Sequence, residues 1–284
     1  MERWVGAWVF VLTVAAAAAA EPVAARRVVS LNPSLTAMVI ALGGREQLVG
    51  VDDYSARTPA AAGLPTVGGL YNPSLEAVVA LAPDLVVLVP SAEQRAFRER
   101  LEALGIARLA LDPVSFEEVL DAIDELGRAI GREQAASERV AAIRGTRARV
   151  EAAARALPPL SAVLVLQRDP LFVAGKGTFV DEMLGSLGIT NVAAAQPGHW
   201  PRLSREWLLA ARPELIVDSS PDPEPALLYW KRWPSLPAVA AERVVSIPVG
   251  VATLPGPDLD EALLSLAEAT RGAGFAEALR EPTP

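Results

Sequence analysis

The chain has 284 residues, 51% hydrophobic and 21% charged, enough to bury the cores of two ordinary domains and too apolar to read as disordered. Its formal net charge of −8 argues against a nucleic-acid partner, which requires a basic face. With no cysteine and a single histidine, disulfides, thiolate chemistry and histidine-rich metal centres are excluded.

Met1–Arg3 is a short charged start, and Trp4–Ala20 is an uncharged apolar run closing on consecutive alanines. That order predicts a cleaved signal peptide over residues 1–25. Without a cysteine the mature N-terminus has no residue for a lipid anchor, so the expectation is a protein free in the periplasm. Arg27–Asn32 then reads as a buried strand, followed by a helix to about Leu42 that Gly43-Gly44 stops. Leu48–Val51 is the next strand and leads into a polar loop at Asp52–Thr58. Ser74–Leu81 is helical, Leu85–Val89 a strand, Ala92–Leu104 a helix and Ala107–Leu111 a strand.

From Ser115 to Leu157 the chain has no proline and favours helix, with Gly131 as a dividing point. The second part, Glu133–Leu157, predicts a helix about 37 Å long at about 1.5 Å per residue. Alternation resumes with a strand at Ala162–Leu166, a helix near Thr178–Leu187, a helix at Ser204–Ala211, strands at Leu215–Asp218 and Val244–Ile247, and a last helix over Leu259–Arg271. Strands alternating with helices predict parallel sheets covered on both faces.

The halves resemble each other. Ser74-Leu75-Glu76 through Val87 aligns without a gap on Ser204-Arg205-Glu206 through Val217, each a serine start, a short helix, a proline break and an apolar strand. The expected architecture is therefore two Rossmann-like α/β lobes with parallel sheets, over 26–112 and 159–284, joined through 113–158 by a long backbone helix. A cleft between such lobes is the expected ligand site.

No assembled catalytic constellation is present. There is no phosphate loop of the GxxxxGK[ST] type, no GxSxG turn and no ligand-spaced carboxylate cluster, so the chain is not expected to be an enzyme or to hold its own metal. Aromatic residues instead recur in loops at the predicted sheet ends of both halves. These are Tyr54, Tyr71 beside Leu70 in GGLYNP, Phe172 after Asp169-Pro170-Leu171, and His199-Trp200 in GHWP. Local packing explains each singly; their recurrence suits the two walls of a cleft that grips a bulky ligand. Glu76 and Glu206 occupy matching first-turn positions, where the helix dipole favours a carboxylate and where an arginine-bearing partner could also read it.

The segments RVVSLNPS (27–34), Asn72–Asp84, Phe172–Gly175 and WPRLSRE (200–206) together resemble the periplasmic substrate-binding proteins for vitamin B12, haem and ferric siderophores, over about Arg26 to Gly274. The resemblance implies a monomer that feeds an ABC importer, with Glu76 and Glu206 docking onto arginines of the permease dimer. It places Tyr54, Phe172 and Trp200 on the cleft walls. It also implies no cofactor of the protein's own, the ligand being a metal chelate such as cobalamin or haem.

Two departures keep the ligand open. Leu70 stands where vitamin B12-binding members often carry a tryptophan, and the loop Gly250–Pro257 lacks the acidic and arginine residues that contact the corrinoid. Haem-binding members use a tyrosine near this first-lobe position as iron ligand, so the resemblance implies haem through Tyr71, with His199, as an alternative, and Arg168, Lys176 and Arg202 are the basic candidates for a siderophore. A module that kept the fold without transport is the remaining alternative.

Overall fold

The computed structural model describes residues 24–91 and 94–280. The first 23 residues, most of the expected signal peptide, lie outside the described residues.

The first sheet holds four parallel strands, β1 (Val28–Ser30), β2 (Leu48–Val51), β3 (Leu85–Leu88) and β4 (Ala107–Ala110), in the order β2-β1-β3-β4. Successive residues point to opposite faces of a strand, so an apolar run fills two cores at once. Val28, Leu85 and Val87 pack on the side of the Pro33–Ala41 and Phe116–Ala129 helices. Val29, Val86 and Leu88 pack with Val78, Phe97 and Leu101 from the Leu75–Ala80 and Arg95–Ala103 helices.

The second sheet holds β5 (Leu160–Gln167), β6 (Leu171–Val173), β7 (Ile189–Asn191), β8 (Arg202–Leu203), β9 (Leu215–Asp218) and β10 (Val244–Ser246). The strands β10, β9, β5 and β7 run parallel. One edge of β5 is shared: β7 pairs its first residues and β6 its last, and β6 and β8 continue the sheet antiparallel. These two short strands were not expected. Phe172 therefore sits in a strand and not in a loop, because Leu171–Val173 folds straight back on β5 across the Asp169-Pro170 turn.

The connector is two helices. Ser115 caps Phe116–Ala129, which ends before Gly131 at a φ of 69°, a left-handed conformation suited to glycine. Glu133–Ala154 follows with 22 residues, about 33 Å long. A β-carbon on Gly127 would lie 2.4 Å from Cβ of Ala136, so the absence of a side chain at 127 is what lets the helices touch. One core cluster runs from Val28 and Met38 in the first lobe through Phe116, Ile123, Val140 and Ile143 to Leu164 and Leu263 in the second. A wide rotation of one lobe against the other would have to break that shared core, so the two lobes are expected to move little relative to each other.

The chain does not end in the Leu259–Arg271 helix. Gly272, at a φ of 98°, turns it into a further helix, Ala273–Arg280, whose Ala276 and Leu279 are buried.

The sequence repeat persists in detail. Ser74 and Ser204 each accept a bond from a backbone N–H three residues on, both at 3.2 Å. Ala82 and Arg212, matching positions, both take the left-handed conformation that breaks the helix. Asp84 accepts the N–H groups of Arg26 and Arg27 ahead of β1, and its counterpart Glu214 accepts the N–H and hydroxyl of Ser161 in β5. Each acidic residue thus ties its strand to the central strand of its own sheet.

Candidate ligand cleft

Segments that follow the carboxyl ends of β1 to β4 meet the end of β5 and the segment after β10 around a cleft whose lining includes Asp112 and Pro113, where the chain leaves β4 for the connector. Loops at carboxyl ends of parallel strands are the usual ligand-binding edge of such sheets. Two adjoining cavities occupy the cleft. One, of about 300 Å3, is lined by Asn32, Tyr54, Leu70 and Val89 from the first lobe and by Leu254 from the second. The other, of about 430 Å3, lies between Tyr71 on one side and Leu166, Phe179 and Trp200 on the other. Asp112, Pro113, Thr253 and Pro255 line both.

The walls are exposed aromatics on buried supports. Trp200 is 37% exposed and its ring sits edge-on to Phe179, 6.2 Å between centres, while Phe179 itself is buried. Tyr54 and Tyr71 are 53% and 62% exposed, and the Arg57 guanidinium lies 5.1 Å from the centre of the Tyr54 ring. Among the described residues, four of the eight exposed large apolar side chains, Tyr54, Tyr71, Trp200 and Leu254, line these two cavities. Such a concentration marks a binding surface, since apolar side chains left in water singly need no explanation but a grouped set does.

Trp200 is positioned by backbone. The N–H of Gly175 donates to the carbonyl of His199 at 2.8 Å, and a β-carbon on Gly175 would lie 2.5 Å from the Gly198 carbonyl oxygen. Glycine at 175 therefore permits the two loops to lie against each other. His199 is exposed, with Nδ1 3.1 Å from the Lys176 carbonyl, and does not line either cavity. Phe172 is half-buried under the Arg202 guanidinium, 5.0 Å from its ring centre, and is likewise outside both linings. The structure thus brings Tyr54, Leu70, Tyr71 and Trp200 together and leaves Phe172 and His199 beside them.

The basic candidates are mostly engaged elsewhere. Arg168 is 4% exposed: its Nε donates to Asp218 at 3.0 Å, its Nη1 to the Glu224 carbonyl at 2.7 Å, and it stacks on Tyr229. Sequence reasoning missed Asp112, Phe179 and Asn32. An Asp-Pro pair directly after an apolar strand was the available signal for the first; Phe179 and Asn32 sit at helix starts and carry no such mark. Among the described residues, no group of three or more histidine, aspartate or glutamate side chains is arranged to hold a metal.

Glu76 and Glu206 are both exposed, each the second residue of a serine-capped helix. Backbone N–H contact in the first turn, helped by the Ser204 hydroxyl, holds the Glu206 carboxyl below the ordinary glutamate range. It is ionised and open to a partner.

Two α/β lobes on a shared helical core with an aromatic-walled cleft between them have the architecture of a bilobal binding protein. Residues 28–249 match the periplasmic binding protein family, and the chain belongs to it. The vitamin B12-binding protein of Salmonella paratyphi A is 33% identical over 196 residues, 68% of this chain and 72% of that protein. YvrC, an uncharacterized ABC transporter substrate-binding lipoprotein of Bacillus subtilis, is 29% identical over 259 residues, 89% of this chain and 82% of its own. Among solved structures, the periplasmic heme-binding protein RhuT from Roseiflexus sp. RS-1 in its apo form superposes with a TM-score of 0.74 at 27% identity, covering 90% of this chain and 99% of RhuT.

Proposed function

We propose that this protein captures a corrinoid between its lobes and delivers it to the permease of an ABC importer, without turnover. Residues 1–25 serve as the export signal, the mature protein works as a monomer in the periplasm, and lobes over 26–112 and 159–284 move only modestly about the rigid 113–158 connector. The observation that carries the ligand class is the facing pair Tyr71 and Trp200 across one cavity, continued by Tyr54 and Leu70 across the next. Walls of that kind suit a broad, rigid, largely apolar macrocycle. Relatives named for vitamin B12 binding support the same choice. Glu76 and Glu206 present one carboxylate per lobe to arginines of the permease, which sets the docking register.

Thermal unfolding of the mature protein with cyanocobalamin, cobinamide, hemin and ferric siderophores tests this. A ligand at a hundred times its Kd stabilises the fold by about 2.7 kcal/mol, a readily measured rise in Tm. The expected result is a rise with the corrinoids. A rise with hemin alone would replace the corrinoid by haem, with Tyr71 as the candidate iron ligand. No rise with any of them would favour a fold kept without its transport role.

A further inference from the structure

The two cleft cavities meet at one charged group. Asp112 lines both, and no lysine or arginine among the described residues lines either. The Asp112 carboxylate takes part in none of the ion pairs found among the described residues. Nor does it serve the helix that follows, which Ser115 caps. The basic groups nearest the aromatic walls are outside the linings: Arg57 stacks on Tyr54, and Arg202 stacks on Phe172. A ligand carboxylate entering the cleft would meet a like charge and find no cation to replace its lost water, a cost that selects against it.

We propose that Asp112 is the specificity-determining residue of the cleft and sets the net charge of what it accepts. Neutral and cationic corrinoids are admitted, and macrocycles that carry carboxylates, such as haem with its two propionates, are rejected. This deepens the corrinoid reading above and rests on it. Asp112 lines both cavities, which puts it within reach of a macrocycle held against either wall. A cationic ligand seated in either cavity would lie near the Asp112 carboxylate, and the attraction strengthens as the ligand itself covers the pair from water.

Isothermal titration of the wild-type protein, Asp112→Asn and Asp112→Lys with neutral cyanocobalamin, singly cationic aquocyanocobinamide and hemin tests the proposal. Asparagine keeps the size and an acceptor oxygen while removing the charge, and the site is exposed, so an unchanged Tm shows the fold intact. In Asp112→Asn, aquocyanocobinamide is expected to bind about three- to tenfold more weakly, while cyanocobalamin changes by less than about twofold. The wild-type affinity for aquocyanocobinamide should also fall with added salt more steeply than that of the asparagine variant. Asp112→Lys should improve hemin binding by a similar factor. Equal effects on both corrinoids, or hemin binding indifferent to the lysine, overturns the charge selection alone. A wild-type protein that binds neither corrinoid overturns the cleft reading itself.

Discussion

Arg139, in the second turn of the Glu133–Ala154 helix, holds both carboxylate oxygens of Asp260 and donates from Nε to the Pro257 carbonyl at 2.6 Å. Asp260 is buried at the start of the Leu259–Arg271 helix, and Pro257 lies two residues beyond Pro255, which lines both cavities. One guanidinium therefore fixes the second-lobe wall of the cleft to the connector. Replacing Arg139 with Met leaves a buried carboxylate without its partner, and the expected loss is about 3 kcal/mol in urea unfolding. Asp260→Asn added to that variant should recover part of the loss, because the uncompensated charge is then gone. Additive losses in the double variant would mean that the pair does not act as a unit.

The start of the connector is set by a reciprocal cap. The Ser115 hydroxyl accepts from the Glu118 N–H at 3.2 Å, and the Glu118 carboxylate accepts from the N–H groups of Val114 and Ser115 at 2.8 and 2.9 Å. Ser115→Ala is expected to cost about 1 kcal/mol. The bonds from the Ser115 N–H and then the Val114 N–H hold the Glu118 carboxyl below its ordinary range. A lowered pKa means that the folded state binds the proton less readily than the unfolded state. The stabilisation is therefore complete above the pKa of an unfolded glutamate and is lost as pH falls through the lowered value. Denaturant midpoints taken from neutral pH downward should show that loss in the wild-type protein and less of it in Glu118→Gln.

Much of this was legible in the sequence. Strand β2 at Leu48–Val51 and β9 at Leu215–Asp218 coincide with their apolar runs because both are buried on both faces and bounded by turn residues. The internal repeat could be read because the same serine cap, helix break and acidic tie recur in register at 74–84 and 204–214. The antiparallel additions β6 and β8 were not legible: two or three residues carry no period, and Phe172 reads the same in a loop as in a strand. Nor was it possible to see that Arg168 is buried, since its partners, Asp218 and the Glu224 carbonyl among them, lie fifty or more residues on. Asp112 escaped because a lone carboxylate beside a proline looks like turn chemistry until two lobes close around it.

Glu76 and Glu206 are related by the repeat and both are exposed, so replacing them should leave the cleft untouched. Glu76→Ala and Glu206→Ala are each expected to weaken productive docking on the permease by about tenfold, as for loss of a charge-assisted arginine–carboxylate contact, with ligand affinity unchanged. Stimulation of the importer's ATPase in proteoliposomes, read against binding-protein concentration, measures the first, and titration of the ligand the second. Stimulation that stays at the wild-type level in the double variant would remove these two residues from the docking surface.

Trp200 packs edge-on against buried Phe179 and lines the larger cavity together with Tyr71, so on the proposed reading it is the second-lobe wall for the ligand. Trp200→Ala should weaken ligand binding by about 1–3 kcal/mol, the range for losing an aromatic wall at the centre of a binding site. Stability should fall by less than for a fully buried tryptophan, because the ring is already 37% exposed. Gly175→Ala separates placement from presence. Its new methyl group would press on the carbonyl oxygens of Gly198 and His199, at 2.5 and 3.0 Å, and on the Pro201 ring at 2.9 Å, so the loop that carries Trp200 must shift while the tryptophan remains. A loss of affinity in Gly175→Ala approaching that of Trp200→Ala would show that the ring acts through its exact seating against Phe179. Full affinity in Gly175→Ala with a deficit in Trp200→Ala would show that the ring's apolar area suffices, wherever the loop carries it. Full affinity in both would take Trp200 out of the site.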